Sequence, residues 1–243
     1  MFQREEHQAV LRVLGALDAD LLDRHHVGFG GGTRLVLELG EYRLSHDVDF
    51  LCSDVRAFAE LRNLARQGGP ERLFHQEGLT GIEFPRELRA DQYGIRFPLI
   101  AGGLPIKLEI IQEGRIELEP AIRPAWSPVG CLTLVDAYAE KLLSNSDRWP
   151  DRNLLARDVI DLGLLRSEVG PVPGEAWSKA ESAYGSQARL DLRQAAEAFL
   201  ADTAFQSRCF AGLSVSRPRG ILDGAAQLLS DLESGGTAGS WAG

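Results

Sequence analysis

Two carboxylates separated by one residue, Asp47-Val48-Asp49, stand downstream of a glycine run, Gly30-Gly31-Gly32, that ends in Thr33. In an extended strand alternate side chains share a face, so Asp47 and Asp49 point one way while Val48 and Phe50 point into a core. Two like charges side by side repel unless they stay solvated or take a hard cation through oxygen, with Mg²⁺ or Mn²⁺ as the fitting class. The glycine run, placed between a strand and a helix, offers bare backbone N–H groups at a helix start, where phosphate can sit. Each feature alone has an ordinary reading, a solvated strand end or a tight turn. A phosphate cradle followed by a carboxylate pair on the next strand is a more specific combination. A third segment, Pro105 to Ile110, also alternates: Ile106, Leu108 and Ile110 face inward, and Lys107 and Glu109 share the other face. If this strand neighbours the first, three carboxylates and an ammonium converge; if not, Lys107 and Glu109 form a same-face pair worth little.

Two positions in the second half carry charge near an apolar stripe. Lys141 lies roughly 110° around its helix from the centre of the Val135, Tyr138, Ala139 and Leu142 stripe, at about 100° per residue, so it is expected to reach past the core edge toward the first domain. In RDVIDL, Asp158 falls close enough to the stripe to be partly covered and to want a partner, while Arg157 and Asp161 have the spacing of a helix-face pair. His25 and His26 have no second pair of ligands at metal spacing and read as structural.

The elements that must position these residues divide the chain in two. Val10, Val13, Leu14, Leu17 and Leu21 predict an amphipathic N-terminal helix. A short strand over 27–29, the glycines, a helix from Thr33 closed by Gly40, the DVDFLC strand and a helix over 54–66 follow. GIEF, YGIRFPLI and PIKLEII read as strands. The expected fold class is therefore α/β (α+β), a small mixed sheet flanked by helices over 1–125. A mainly helical domain over 126–235 follows, with a flexible tail at 236–243. Thr133 and Asp136 resemble a capping box, and helices are expected over 153–166, 175–201 and 219–233.

Composition bounds the function. The 243 residues carry 35 acidic and 26 basic side chains, a formal charge of −9, with 44% hydrophobic residues, which suffices for a core and excludes a mainly disordered chain. The pI near 5.1 disfavours a wide groove for duplex nucleic acid, leaving polyanions to be met by a local patch or through metal; Arg148, Arg152, Arg157 and Arg166 line a modest surface at most. No apolar run approaches the ~20 residues of a membrane span, and the start lacks a secretory layout, so a cytoplasmic location is expected. Cys52, Cys131 and Cys209 have neither disulfide nor zinc spacing and read as buried small hydrophobes.

Four ordered blocks, GGTRLVLELGEYRLSHDVDF, IKLEI, DAYAEKLLSNSDR and RDVIDLGLL, resemble the AbiEii/AbiGii toxin-type nucleotidyltransferases of the polymerase-β-like superfamily, across about residues 28–166. The resemblance implies that Gly31, Gly32 and Thr33 hold a triphosphate and that Asp47 and Asp49 bind metal, with Glu109 the third carboxylate. Lys107, Lys141 and Asp158 map to the family's later motifs, and Thr33 stands where many members have serine. The expected reaction moves an NMP from an NTP to an acceptor hydroxyl, with two Mg²⁺ (or Mn²⁺) at the acidic trio and Lys141 neutralising triphosphate charge. Glu109 would help deprotonate the acceptor, and Arg43 and Ser45 would steady the DxD strand or touch phosphate. The nucleotide is expected between the two domains. It further implies a bacterial toxin with a cognate antitoxin and an RNA acceptor, tRNA first, with a protein or small molecule equally open. The rival reading is a non-catalytic nucleotide-binding or regulatory module of the same fold.

Overall fold

A computed structural model describes residues 2–234; the tail expected at 236–243 lies outside the described residues. The chain divides into two compact units, Met1–Glu41 with Ser45–Thr133, and Tyr42–Leu44 with Leu134–Gly243. The helical unit thus begins at Leu134 and also claims a three-residue segment from the first part of the chain.

The first unit carries a six-stranded mixed sheet: β1 (Gly28–Phe29), β2 (Val48–Cys52), β3 (Ile82–Glu83), β4 (Arg89–Ala90), β5 (Gly94–Ala101) and β6 (Leu104–Gln112). Its order is β1-β2-β6-β5-β3, with β4 added to β5. The β2–β6 pair is parallel, and the others are antiparallel. Its helices are α1 (Glu5–Ala16), α2 (Ala19–Arg24), α3 (Gly31–Glu38) and α4 (Val55–Gly68). One face of the sheet is apolar: Phe50, Leu108, Ile110, Ile95, Phe97 and Leu99 are fully buried among Val10, Val13 and Leu14 of α1 and Phe58 and Leu61 of α4. Strand alternation then sends Asp49, Glu109, Arg96 and Lys107 to the other face.

The N-terminal apolar stripe is split between two helices. Asp18 caps α2 by accepting from Leu21 N at 2.9 Å, which starts a new helix although the apolar spacing runs on through Leu21. Gly40, with φ of 73°, follows the end of α3 as expected. The three cysteines are buried and free, and burial pushes the Cys52 and Cys209 thiols up to about 11. No helix among the described residues is long and apolar enough to cross a membrane.

The second unit is built of α5 (Leu134–Arg148), α6 (Arg157–Glu168), α7 (Gly174–Tyr184), α8 (Gln187–Ala201), α9 (Thr203–Gly212) and α10 (Pro218–Glu233). The helix expected over 175–201 is two, and α9 is additional. The Tyr42–Leu44 segment is tied in by its backbone, with Leu44 N donating to Leu213 O at 2.7 Å and Ser216 N to Tyr42 O at 2.8 Å. Helices α6 and α10 meet at two glycines, and a Cβ at Gly224 would stand 1.7 Å from Gly163 O. Any side chain there must push the helices apart, so Gly224→Ala is expected to destabilise the protein by about 1–3 kcal/mol or more in urea unfolding. A wild-type midpoint in that variant would contradict this packing.

Candidate functional site

The site in the first unit begins with register. In the parallel β2–β6 pair, Asp49 is the Cα partner of Glu109, flanked by Val48 with Leu108 and Phe50 with Ile110. Neighbouring strands lie about 4.8 Å apart and register partners in a parallel pair share a face, so these two carboxylates are adjacent. Asp47, half-buried, directly precedes β2.

The glycine run packs onto that strand. Gly30 N donates to Asp49 O at 2.8 Å. Gly31 has φ of 67°, and a Cβ on it would stand 2.6 Å from Asp49 Oδ2. Only glycine meets both conditions, so the sequence at Gly31 is what brings the start of α3 against the Asp49 carboxylate. The first-turn N–H groups from Gly31 to Thr33 have no acceptor within the helix. Thr33, buried, pairs its hydroxyl with Ser45 Oγ at 2.8 Å, which ties the glycine turn to the segment leading into Asp47.

Glu109 is held by two cations. Arg96 Nε lies 3.0 Å from Oε1 and Lys107 Nζ 2.5 Å from Oε2, with the Glu109 side chain 14% exposed. Arg96 is also its register partner on β5. This arginine was missed in the sequence, because only the antiparallel register places it opposite Glu109. Arg96 and Lys107 also line a cavity of about 660 Å³ with Arg86, Arg89 and Glu87. Among the described residues no three of His, Cys, Asp and Glu form a preformed metal cage. The donor set is nonetheless all oxygen, a carboxylate pair one residue apart with a third beside it, which suits a hard divalent cation.

Arg43, Lys141 and Asp158 belong to the second unit and converge there on Asp161. Arg43 meets Asp161 through Nε at 2.6 Å and Nη2 at 2.8 Å, Tyr42 donates its hydroxyl at 2.6 Å, and Lys141 Nζ lies 2.6 Å from Oδ2. Lys141 also reaches Asp158 at 3.0 Å, and Asp158 takes Arg148 Nε at 2.7 Å. Asp158 has the partner expected of it. The Arg157–Asp161 pair does not form: Asp161 is enclosed by Tyr42, Arg43 and Lys141, and Arg157 Nε has no protein partner. Lys141, expected past the core edge, is buried, because two carboxylates on α6 draw it inward.

Burial would raise the carboxyls of Asp158 and Asp161, yet Arg43 and Lys141 hold Asp161 well below the ordinary carboxylate range, and Lys141 and Arg148 hold Asp158 below it. Burial and the Asp161 charge push the Tyr42 phenol well above its usual value.

The model for the nucleotidyl transferase AbiEii toxin of type IV toxin–antitoxin systems matches residues 12–210. The chain belongs to the AbiEii family. Two solved structures share the fold. One, of a candidate nucleotidyltransferase from Helicobacter pylori, covers 96% of this chain and 98% of its own, with TM-score 0.53 at 13% identity. The other, JHP933 from the same organism, covers 97% and 96%, with TM-score 0.55 at 14% identity. No curated protein matches the sequence. AbiEii members are nucleotidyltransferases and toxins of a two-component system, so a nucleotidyl-transfer role and an antitoxin partner follow from membership.

Asp161→Asn leaves Arg43 and Lys141 buried without a full counter-charge and is expected to cost about 3–5 kcal/mol at neutral pH. Because the folded pKa values of Asp158 and Asp161 are depressed, their contribution is complete above the unfolded value of about 3.9 and fades as pH falls below it. Urea unfolding across pH 3–7 checks both: the parent loses stability at the acid end, and the variant loses less there.

Proposed function

We propose that this AbiEii-family chain transfers an NMP from an NTP to an acceptor hydroxyl, releasing pyrophosphate, with Mg²⁺ or Mn²⁺ held by Asp47 and Asp49 and Glu109 as the third carboxylate. The observation that carries this reading is the pairing of Asp49 with Glu109 across β2–β6, with Gly31 packed on Asp49. When bound, the cation supplies neutralisation of the triphosphate and polarises the reacting oxygens. The N–H groups from Gly31 to Thr33 orient phosphate oxygens, and the Thr33–Ser45 bond fixes that turn. Glu109 takes the proton as the acceptor oxygen attacks the α-phosphorus and the bond to the β-phosphate oxygen breaks. Lys107 and Arg96, which neutralise Glu109, also offer donors to anionic substrate in the cavity they line. Lys141 uses two of its three donors on Asp158 and Asp161, and Asp158 orients the ammonium, which leaves one donor for an anion at the helical unit.

The acceptor we propose is RNA, tRNA first, in the cytoplasm, with activity held in check by the antitoxin. Support for a polyanionic acceptor comes from Arg86 and Arg89, which line the β5–β6 cavity beside the Glu109-bound Arg96 and Lys107.

Asp47→Ala and Asp49→Ala are each expected to lower transfer of α-phosphate label by at least about 100-fold, with melting temperatures near the parent's. The assay incubates the protein with total bacterial RNA and each labelled NTP. Label uptake unchanged in both variants, or NTP binding with no pyrophosphate release from the parent, would overturn the proposal. In the same assay Gly31→Ala is expected to lose transfer, because its methyl must displace the Asp49 carboxylate, with about 1–2 kcal/mol of backbone strain added.

A further inference from the structure

The helical unit contains a cavity of about 180 Å³ between the end of α5, the start of α6, and α8 and α9. Aromatic walls come from Trp149, Phe199 and Phe205. Asn145 lines it, is 1% exposed, and has no protein group bonded to either Oδ1 or Nδ2. Arg157 lines it too, its Nε buried and without a protein partner. The other arginines of the rim are satisfied: Arg148 by Asp158, and Arg152 by Asp202, with its guanidinium 3.9 Å from the Phe205 ring centroid.

A buried amide open at both ends is costly, and native interiors rarely keep one without use. The backbone beside it is strained as well. Leu155 and Ala156, neither of them glycine, take φ of 57° and 49° directly before Arg157. Consecutive left-handed residues at a cavity lip mark a segment held for its side chains rather than its comfort.

The open groups are one acceptor, Asn145 Oδ1, and two kinds of donor, Asn145 Nδ2–H and Arg157 Nε–H. Their complement is a flat ring edge bearing one donor and two acceptors, slotted among aromatic walls. Cytosine and uracil carry that set on their pairing edges; guanine carries the reverse, and adenine lacks the second acceptor. The volume, small beside drug-sized pockets, suits a single ring. We propose that this cavity binds a pyrimidine base, supplied either by a free nucleotide or by an unpaired residue of single-stranded RNA, with Asn145 reading the edge and the aromatic walls stacking on the ring. Asp158, which anchors Arg148 and Lys141, also lines the cavity, so the inference shares that residue with the transfer reading while concerning binding within the helical unit alone.

Calorimetry on the full chain, in EDTA and without NTP, titrates CMP, UMP, AMP, GMP and hexauridylate. CMP and UMP are expected to bind, and Asn145→Leu to weaken them by at least about tenfold. Ala198→Trp, at an exposed position lining the cavity, is expected to weaken them similarly without lowering the melting temperature. Binding of hexauridylate without UMP identifies RNA as the source, and binding of UMP shows that a free nucleotide suffices; both support the site. No saturable binding of any ligand overturns the proposal, as does GMP binding as tightly as CMP. Binding lost in Asp49→Ala but kept in both cavity variants overturns it too, while leaving the transfer reading untouched.

Discussion

Parallel strands cannot be closed by a tight turn, and the pairing of β2 with β6 is the constraint on which the first unit depends. The chain leaves β2, builds α4 and the short strands, and returns through the β5–β6 hairpin. That hairpin turns on Gly102 and Gly103, both at positive φ, as a two-residue turn between twisted strands requires. Register is then set by burial. Val48 and Phe50 on one strand and Leu108 and Ile110 on the other must all face the core, and a slip of one residue would turn each carboxylate into it. Asp49 and Glu109 therefore meet because of the apolar residues beside them.

Meeting brings repulsion, and the two units answer the same problem differently. In the sheet, Glu109 is neutralised by Arg96 and Lys107 at a half-exposed face, where water shares the load and the pairs can be exchanged for other anions. In the helical unit, Asp161 is fully buried, and three partners saturate it. Desolvating such a cluster cancels much of its Coulombic gain, so its effect is less on net stability than on which arrangement is tolerated: Tyr42 and Arg43 have one place to go. An exposed pair and a buried one with similar distances thus do opposite jobs.

The alternation that gives Asp49, Lys107 and Glu109 their faces was legible in the sequence, because strand geometry is local, while Asp47 lies just ahead of the strand. That β6 lies beside β2 was legible only as a condition, since pairing depends on the whole unit. Arg96 stayed hidden for the same reason. Residues 42–44 read as part of the motif running from Gly30 to Phe50, yet their partners Asp161, Leu213 and Ser216 lie far along the chain, and no local window contains them. The N-terminal stripe misled in the opposite way: its apolar spacing continues across the break, while Asp18 carries the cap that starts α2. Helix α9 was missed because its buried residues, Phe205, Gln206 and Cys209, are too few to form a stripe.

Net charge says little about where a chain meets an anion, for a physical reason. At physiological ionic strength a surface charge is felt over roughly 8–10 Å, so an approaching anion responds to the charges lining one cavity rather than to the sum over the chain. The cavity next to Glu109 is lined by Arg86 and Arg89 together with the Glu109-bound Arg96 and Lys107, with Glu87 among them, in a protein whose formal charge is −9. An acidic chain can therefore favour a phosphate-bearing substrate at one place while resisting nonspecific adsorption to nucleic acid, a discrimination that a uniformly basic surface would not give.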